Sequence, residues 1–182
     1  MADFGFLLGD WAIICHGDTW LNNLLFKYNE KTNEPESVIV VDYQMCRETC
    51  PTMDLAYFIY SGSGASTRLR QSIVDDLLQT YYDTFMEVCN ALNCEPLPGF
   101  SFGALKYRLH RMTLFGATMC VILAPIMLLK SEDAKDLDKD EDSGDIGDMI
   151  KGVTDLVYSE GGEIFKQRMS EFTTELYEMG VL

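Results

Sequence analysis

The chain has 182 residues, 47% of them hydrophobic, which is enough for one domain with a real core and too little for two ordinary ones. Its formal net charge of −15 is about half local, because residues 131–148 hold nine acids and two Lys (−7), leaving −8 for the remainder. Neither part offers a Lys/Arg stripe that could follow a phosphate backbone, so nucleic-acid binding is disfavoured.

Residues 6–15 are mostly apolar and read as the end of a helix or a buried segment delivering the loop His16-Gly17-Asp18. Leu24-Leu25-Phe26-Lys27-Tyr28 and Val38-Ile39-Val40-Val41 are short β-favouring runs, and residues 29–37 between them are turn material, so a hairpin is expected. Its return brings Asn23, at the start of the first strand, beside Asp42 at the end of the second. From Leu69 the pattern becomes helical, with Ile73, Leu77, Tyr81 and Phe85 every four residues, Val74, Leu78, Tyr82 and Met86 alongside, and Ser66 or Thr67 as caps. This helix is expected to end near Cys94, before Pro96-Leu97-Pro98-Gly99.

Ser101 caps a further helix expected to run toward Lys130, within which residues 112–129 carry no charge. Eighteen residues are the shortest credible membrane span. Thr113, Gly116, Thr118 and Pro125 interrupt the run, and Arg108, His110 and Arg111 crowd one end, so a buried helix is expected and no span. Residues 131–148 read as a solvated acidic loop, since the Gly and terminal Glu of a calcium loop do not fall at the needed offsets. The chain closes with a helix whose stripe is Phe165, Met169, Phe172 and Leu176, with Gly180 as its C-terminal cap. The six cysteines lack paired C-x-x-C units, and no secretory leader opens the chain; reduced, cytoplasmic thiols without metal are expected.

The chemistry concentrates in His16-Gly17-Asp18-Thr19-Trp20-Leu21-Asn22-Asn23 and Val40-Val41-Asp42-Tyr43-Gln44. One carboxylate, an Asn five residues later and a second carboxylate after a hairpin match the division of labour in a kinase catalytic loop. There a first carboxylate orients the substrate hydroxyl, while an amide oxygen and a second carboxylate hold magnesium on the nucleotide phosphates. Magnesium takes hard oxygen ligands and commonly only one or two from protein. A two-metal phosphoesterase would need several His, and the chain has only His16 and His110. Asp3-Phe4-Gly5 spells a magnesium motif but precedes the loop that it should follow, so it is taken as chance.

These motifs, His16-Gly17-Asp18-x-Trp20-x-x-Asn23-x-x-Phe26-Lys27-Tyr28, Val41-Asp42-Tyr43-Gln44 and Asp54-Leu55-Ala56-Tyr57-Phe58, closely resemble the ecdysteroid kinase-like family of insect and arthropod small-molecule kinases, relatives of choline kinase and aminoglycoside phosphotransferases. The resemblance implies ATP- and magnesium-dependent phosphorylation of a small-molecule alcohol, such as an ecdysteroid or a related lipophilic compound. It implies Asp18 as the catalytic aspartate, Asn23 and Asp42 as magnesium holders, and His16 and Asp54 as structural supports of the catalytic loop. Tyr43 stands where the family usually has Phe. The fold implied is α+β, mostly α: one protein kinase-like C-lobe over residues 1–182, with catalytic loop, hairpin and metal segment in 1–68, helical core in 69–130, acidic loop in 131–148 and C-terminal helices in 149–182.

Only fifteen residues precede His16, too few for a phosphate-covering N-lobe, so the sequence is expected to represent a C-lobe whose face toward that lobe is bare and apolar. It is expected to be inactive without one, and nucleotide contacts from that lobe have no residues here. The alternative is a non-catalytic, kinase-like remnant that binds partners. Tyr60, Tyr81, Tyr107 and Phe115 are candidates for substrate contact that core packing explains equally well.

Overall fold

The computed structural model describes residues 9–63, 67–128, 158 and 162–181. The expected acidic loop at 131–148, the Asp3-Phe4-Gly5 segment and the Ser66 cap lie outside the described residues. What is described is α+β and mostly helical.

Four short strands come first. β1 (Ile13–Cys15) pairs antiparallel with β4 (Arg47–Thr49), and β2 (Leu24–Tyr28) pairs antiparallel with β3 (Pro35–Val40), as two separate two-stranded sheets. Of residues 6–15, the described residues 9–15 therefore supply no helix end, and they bury Trp11 and Cys15. They supply a 3-10 turn, Gly9–Trp11, and then β1, because Ile13, Ile14 and Cys15 find backbone partners in Thr49, Glu48 and Arg47. The hairpin forms as expected, with Leu24 opposite Val40 and Leu25 opposite Ile39. Its second strand starts at Pro35, because the Asn29 side chain accepts from the Lys31 and Thr32 amides and Asn33 takes a left-handed conformation, which closes the turn early. Both strands are exposed along most of their length, including Leu25, Val38 and Ile39.

Helix α1 (Pro51–Gly62) begins with Pro at its first position, where a missing N–H costs nothing. Helix α2 (Thr67–Ala91) presents the expected apolar face, with Leu78 fully buried and Tyr81, Tyr82 and Phe85 half-buried. It ends slightly early: Asn93 adopts a left-handed conformation, and the Asn93 and Cys94 amides bond back to Asn90 and Cys89, closing the C-terminus. Helix α5 (Gly162–Glu178) ends the same way at Gly180, as its sequence predicts, and buries Phe172 and Leu176.

One expectation fails at residues 102–130. The chain forms two helices, α3 (Phe102–Arg111) and α4 (Thr113–Leu128), which break at Met112 (φ −92°, ψ 2°). Neither Gly116 nor Pro125 makes the break; it falls where Met112 buries its side chain in the core and α4 turns to lie on α1. Along α4 the buried stripe is Thr113, Gly116, Ala117, Cys120 and Leu123, while Leu114, Val121 and Ile122 are exposed, so this uniformly apolar helix is buried along one face only. Among the described residues no helix is long and apolar enough to cross a membrane.

The contact of α4 with α1 is close enough to require glycine. A Cβ at Gly116 would sit 2.6 Å from Tyr60 Cδ2 and 2.9 Å from the Ala56 carbonyl oxygen. Beside it, Arg70 of α2 pairs with Glu175 of α5 in a buried ion pair and lies between the rings of Tyr60 (4.6 Å) and Phe172 (4.8 Å). Gly116→Ala is expected to force α1 and α4 apart and lower the unfolding free energy by about 1–3 kcal/mol, read from the urea midpoint.

Candidate active site

The loop between β1 and β2 is held from α1. Asp54, in the first turn of that helix, accepts the His16 amide on Oδ2 (2.7 Å) and the Gly17 amide on Oδ1 (2.9 Å), while its own carbonyl accepts the Thr19 hydroxyl (2.8 Å). An ionised acceptor taking two amides is among the stronger hydrogen-bond arrangements available to a backbone. Gly17 has φ +85°, and a Cβ there would press into the Met45 backbone carbonyl. Only glycine satisfies both conditions.

His16 is spent on the loop itself. Its Nε2 lies 2.9 Å from the Val41 carbonyl, and its Nδ1 accepts the Asp18 amide at 3.3 Å. A carbonyl can only accept and an amide can only donate, so the imidazole carries its hydrogen on Nε2. The ring also packs against Tyr43, 4.9 Å between centroids. Both nitrogens are occupied by backbone, which gives His16 the bracing geometry that its position suggests.

Asp18 sits at the end of this framework. Its Oδ1 accepts the Tyr57 hydroxyl at 2.8 Å and its Oδ2 accepts the Asn23 amide Nδ2 at 2.9 Å, which also reaches the Asp18 carbonyl at 2.9 Å. Asn23 is buried at the end of the 3-10 turn Leu21–Asn23. With Nδ2 committed to Asp18, its Oδ1 is the oxygen turned elsewhere. Asp42 joins through its neighbour: the Val41 amide donates to the Asn23 carbonyl (3.0 Å), and the Val41 carbonyl takes His16. Asp42 itself has a left-handed backbone (φ 65°, ψ 63°), is exposed, and accepts Gln44 Nε2 on Oδ2 at 3.2 Å. The structure thus joins His16, Asp18, Asn23 and Asp54 by hydrogen bonds and sets Asp42 beside them at the hairpin exit. Among the described residues no group of three or more His, Cys, Asp or Glu gathers as a metal cluster.

Three contributions escaped the sequence reading: the Thr19 hydroxyl, the Val41 carbonyl and, above all, Tyr57. The available signal for Tyr57 was its helical spacing of three from Asp54, which puts both on one face of α1. The aromatic candidates do not assemble. Tyr60 is core and Tyr107 is exposed, while Tyr81 lines, with His16, Thr19, Asn23 and Asp54, a cavity of about 490 Å³ that Asp18 does not line. Phe115 meets the Tyr57 ring edge-on at 6.4 Å.

Burial, reinforced by the hydrogen bond to Asp18 and its charge, pushes the Tyr57 phenol far above its ordinary ionisation range. Burial, followed by the Asp54 charge, pushes the Cys15 thiol up to about 12.

The arrangement is a clamped loop carrying one carboxylate, followed by a hairpin that returns a second. Residues 7–94, which contain every residue of the site, match the model of the ecdysteroid kinase-like family, supporting the resemblance drawn from the motifs. No curated protein and no solved structure matches the chain.

Two predictions follow from this geometry. Gly17→Ala is expected to cost about 2 kcal/mol or more, because it adds left-handed strain to a backbone collision, and denaturant titration reads the loss. The raised Cys15 and Tyr57 ionisations mean that the native state holds protons that the unfolded state releases. Their stabilisation is therefore complete below the ordinary thiol value and is lost as pH climbs toward 12. Urea midpoints are expected to fall steadily from pH 8.5 to pH 11, and a flat profile would contradict the burial of these groups.

Proposed function

We propose that this chain is the C-lobe of a phosphotransferase that, paired with a phosphate-covering lobe, moves the γ-phosphoryl group of ATP to a hydroxyl of a small molecule, an ecdysteroid-like alcohol in the family's own class. The observation that carries the proposal is the Asp18 carboxylate, fixed on both oxygens at the end of a loop whose backbone is clamped by Asp54. The ecdysteroid kinase-like match over the same residues supports it.

Asp18 orients the acceptor hydroxyl and takes its proton as the oxygen bonds phosphorus; ADP departs with the electrons of the broken bond, leaving a phosphate monoester. Each of its oxygens already accepts one hydrogen bond and retains capacity for another. Asn23 Oδ1 and the Asp42 carboxylate fit magnesium by their donor chemistry: one amide oxygen and one carboxylate are the modest protein share that this ion takes when phosphate oxygens and water complete the shell. Bound as its magnesium complex, ATP supplies the reactive phosphoryl group and the neutralising cation. Gln44, bonded to Asp42 Oδ2, restrains that carboxylate. His16 contributes no proton transfer in this scheme, since both ring nitrogens serve the backbone.

In the protein paired with a phosphate-covering lobe, Asp18→Ala and Asp42→Ala are each expected to lower turnover at least 100-fold, because both act on the transition state, while the circular dichroism spectrum is retained. The assay is magnesium-dependent ADP release with an ecdysteroid and a panel of simpler alcohols. Near-normal turnover in either variant would sink the assignment.

A further inference from the structure

We propose that Tyr57 is a positioning residue of this site, whose phenol O–H fixes the orientation of the Asp18 carboxylate toward the acceptor; the proposal rests on the reading of Asp18 given above. A carboxylate on a single methylene turns about two torsions, and one hydrogen bond leaves a pivot. Here the two oxygens are held separately, Oδ1 by Tyr57 from α1 and Oδ2 by Asn23 from the turn after the loop. Removing either donor frees one oxygen to swing out of line with the acceptor.

Tyr57 is built for the task. It is 3% exposed, its carbonyl accepts the Ser61 hydroxyl at 2.6 Å within α1, and its ring meets Phe115 of α4 edge-on, with 84° between the planes. Asp54, three residues earlier on the same helix, holds the amides of His16 and Gly17. One rigid helix therefore sets both the backbone of the loop and the rotamer of its acidic side chain. Burial keeps the phenol protonated, so Tyr57 stays a donor and does not compete with Asp18 for the substrate proton.

Tyr57→Phe removes the O–H and keeps the ring. Its kcat is expected to fall about 10- to 100-fold, the worth of one hydrogen bond to a charged group, with KM for ATP unchanged. In an Asp18→Asn background the same substitution is expected to cost little more, as befits two residues acting as a unit. A readout independent of turnover is the ¹⁹F spectrum of protein made with 3-fluorotyrosine. The resonance lost in Tyr57→Phe is assigned to Tyr57, and Asp18→Asn should shift it more than any other. Undiminished kcat in Tyr57→Phe, additive losses in the double variant, or an unmoved resonance each overturns the Tyr57 role. Absence of transfer to every alcohol tested by the unsubstituted protein paired with a phosphate-covering lobe instead overturns the phosphotransferase reading, and the Tyr57 role with it.

Discussion

The bidentate grip of Asp54 on the His16 and Gly17 amides is the constraint on which the rest of the site depends. A loop leaving a three-residue strand has no ladder of its own to fix it, and β1 pairs only with the equally short β4. The carboxylate replaces that ladder. Once the two amides are anchored to α1, the chain must turn sharply at Gly17, the Asp18 amide falls on His16 Nδ1, and the Asp18 side chain points back at the helix that holds the loop. His16 then ties the loop to the hairpin through the Val41 carbonyl, so a helix, a loop and a sheet share one polar network.

That network needs α1 to be immobile, and the core supplies the immobility. Against α1, Gly116 lets α4 approach until a single methyl group would collide, and Tyr60, Ile59 and Ala56 are buried in the shared core. On the far side, the Arg70–Glu175 pair lies between Tyr60 and Phe172, linking α2 and α5 to the same helix by charge and ring contact. A buried ion pair contributes less net stability than its proximity suggests, because desolvation offsets attraction; its clearer effect is to specify which helix faces meet. The hairpin, by contrast, is exposed along most of both strands and is fixed mainly by its own ladder and by Asn23 and Val41 at its base.

Much of this was legible in the sequence because it is local. The hairpin follows from two β-favouring runs around Asn-rich turn chemistry, and the cap at Gly180 and the apolar face of α2 follow from periodicity and punctuation. The Asp18, Asn23 and Asp42 spacing was equally visible. Other features were not local. Residues 6–15 look apolar enough for a helix end, yet the backbone of residues 13–15 pairs with β4, more than thirty residues on, and no window of sequence contains that partner. Residues 102–128 read as one helix because propensity is continuous across Met112, whereas the break comes from burying that side chain while laying α4 on α1.

The sequence by itself determined which groups could do chemistry here: two carboxylates and an amide at kinase spacing, one histidine beside them, and little else of that kind in the chain. Only the tertiary structure decided how those groups are held. Tyr57 becomes part of the site because α1 packs where its face meets the loop, and His16 becomes a brace because Val41 and the Asp18 amide claim its two nitrogens. The physical reason is the same in both cases. Hydrogen-bond partners distant in sequence are assigned by the packing of helices and strands, and residue spacing carries no record of that packing.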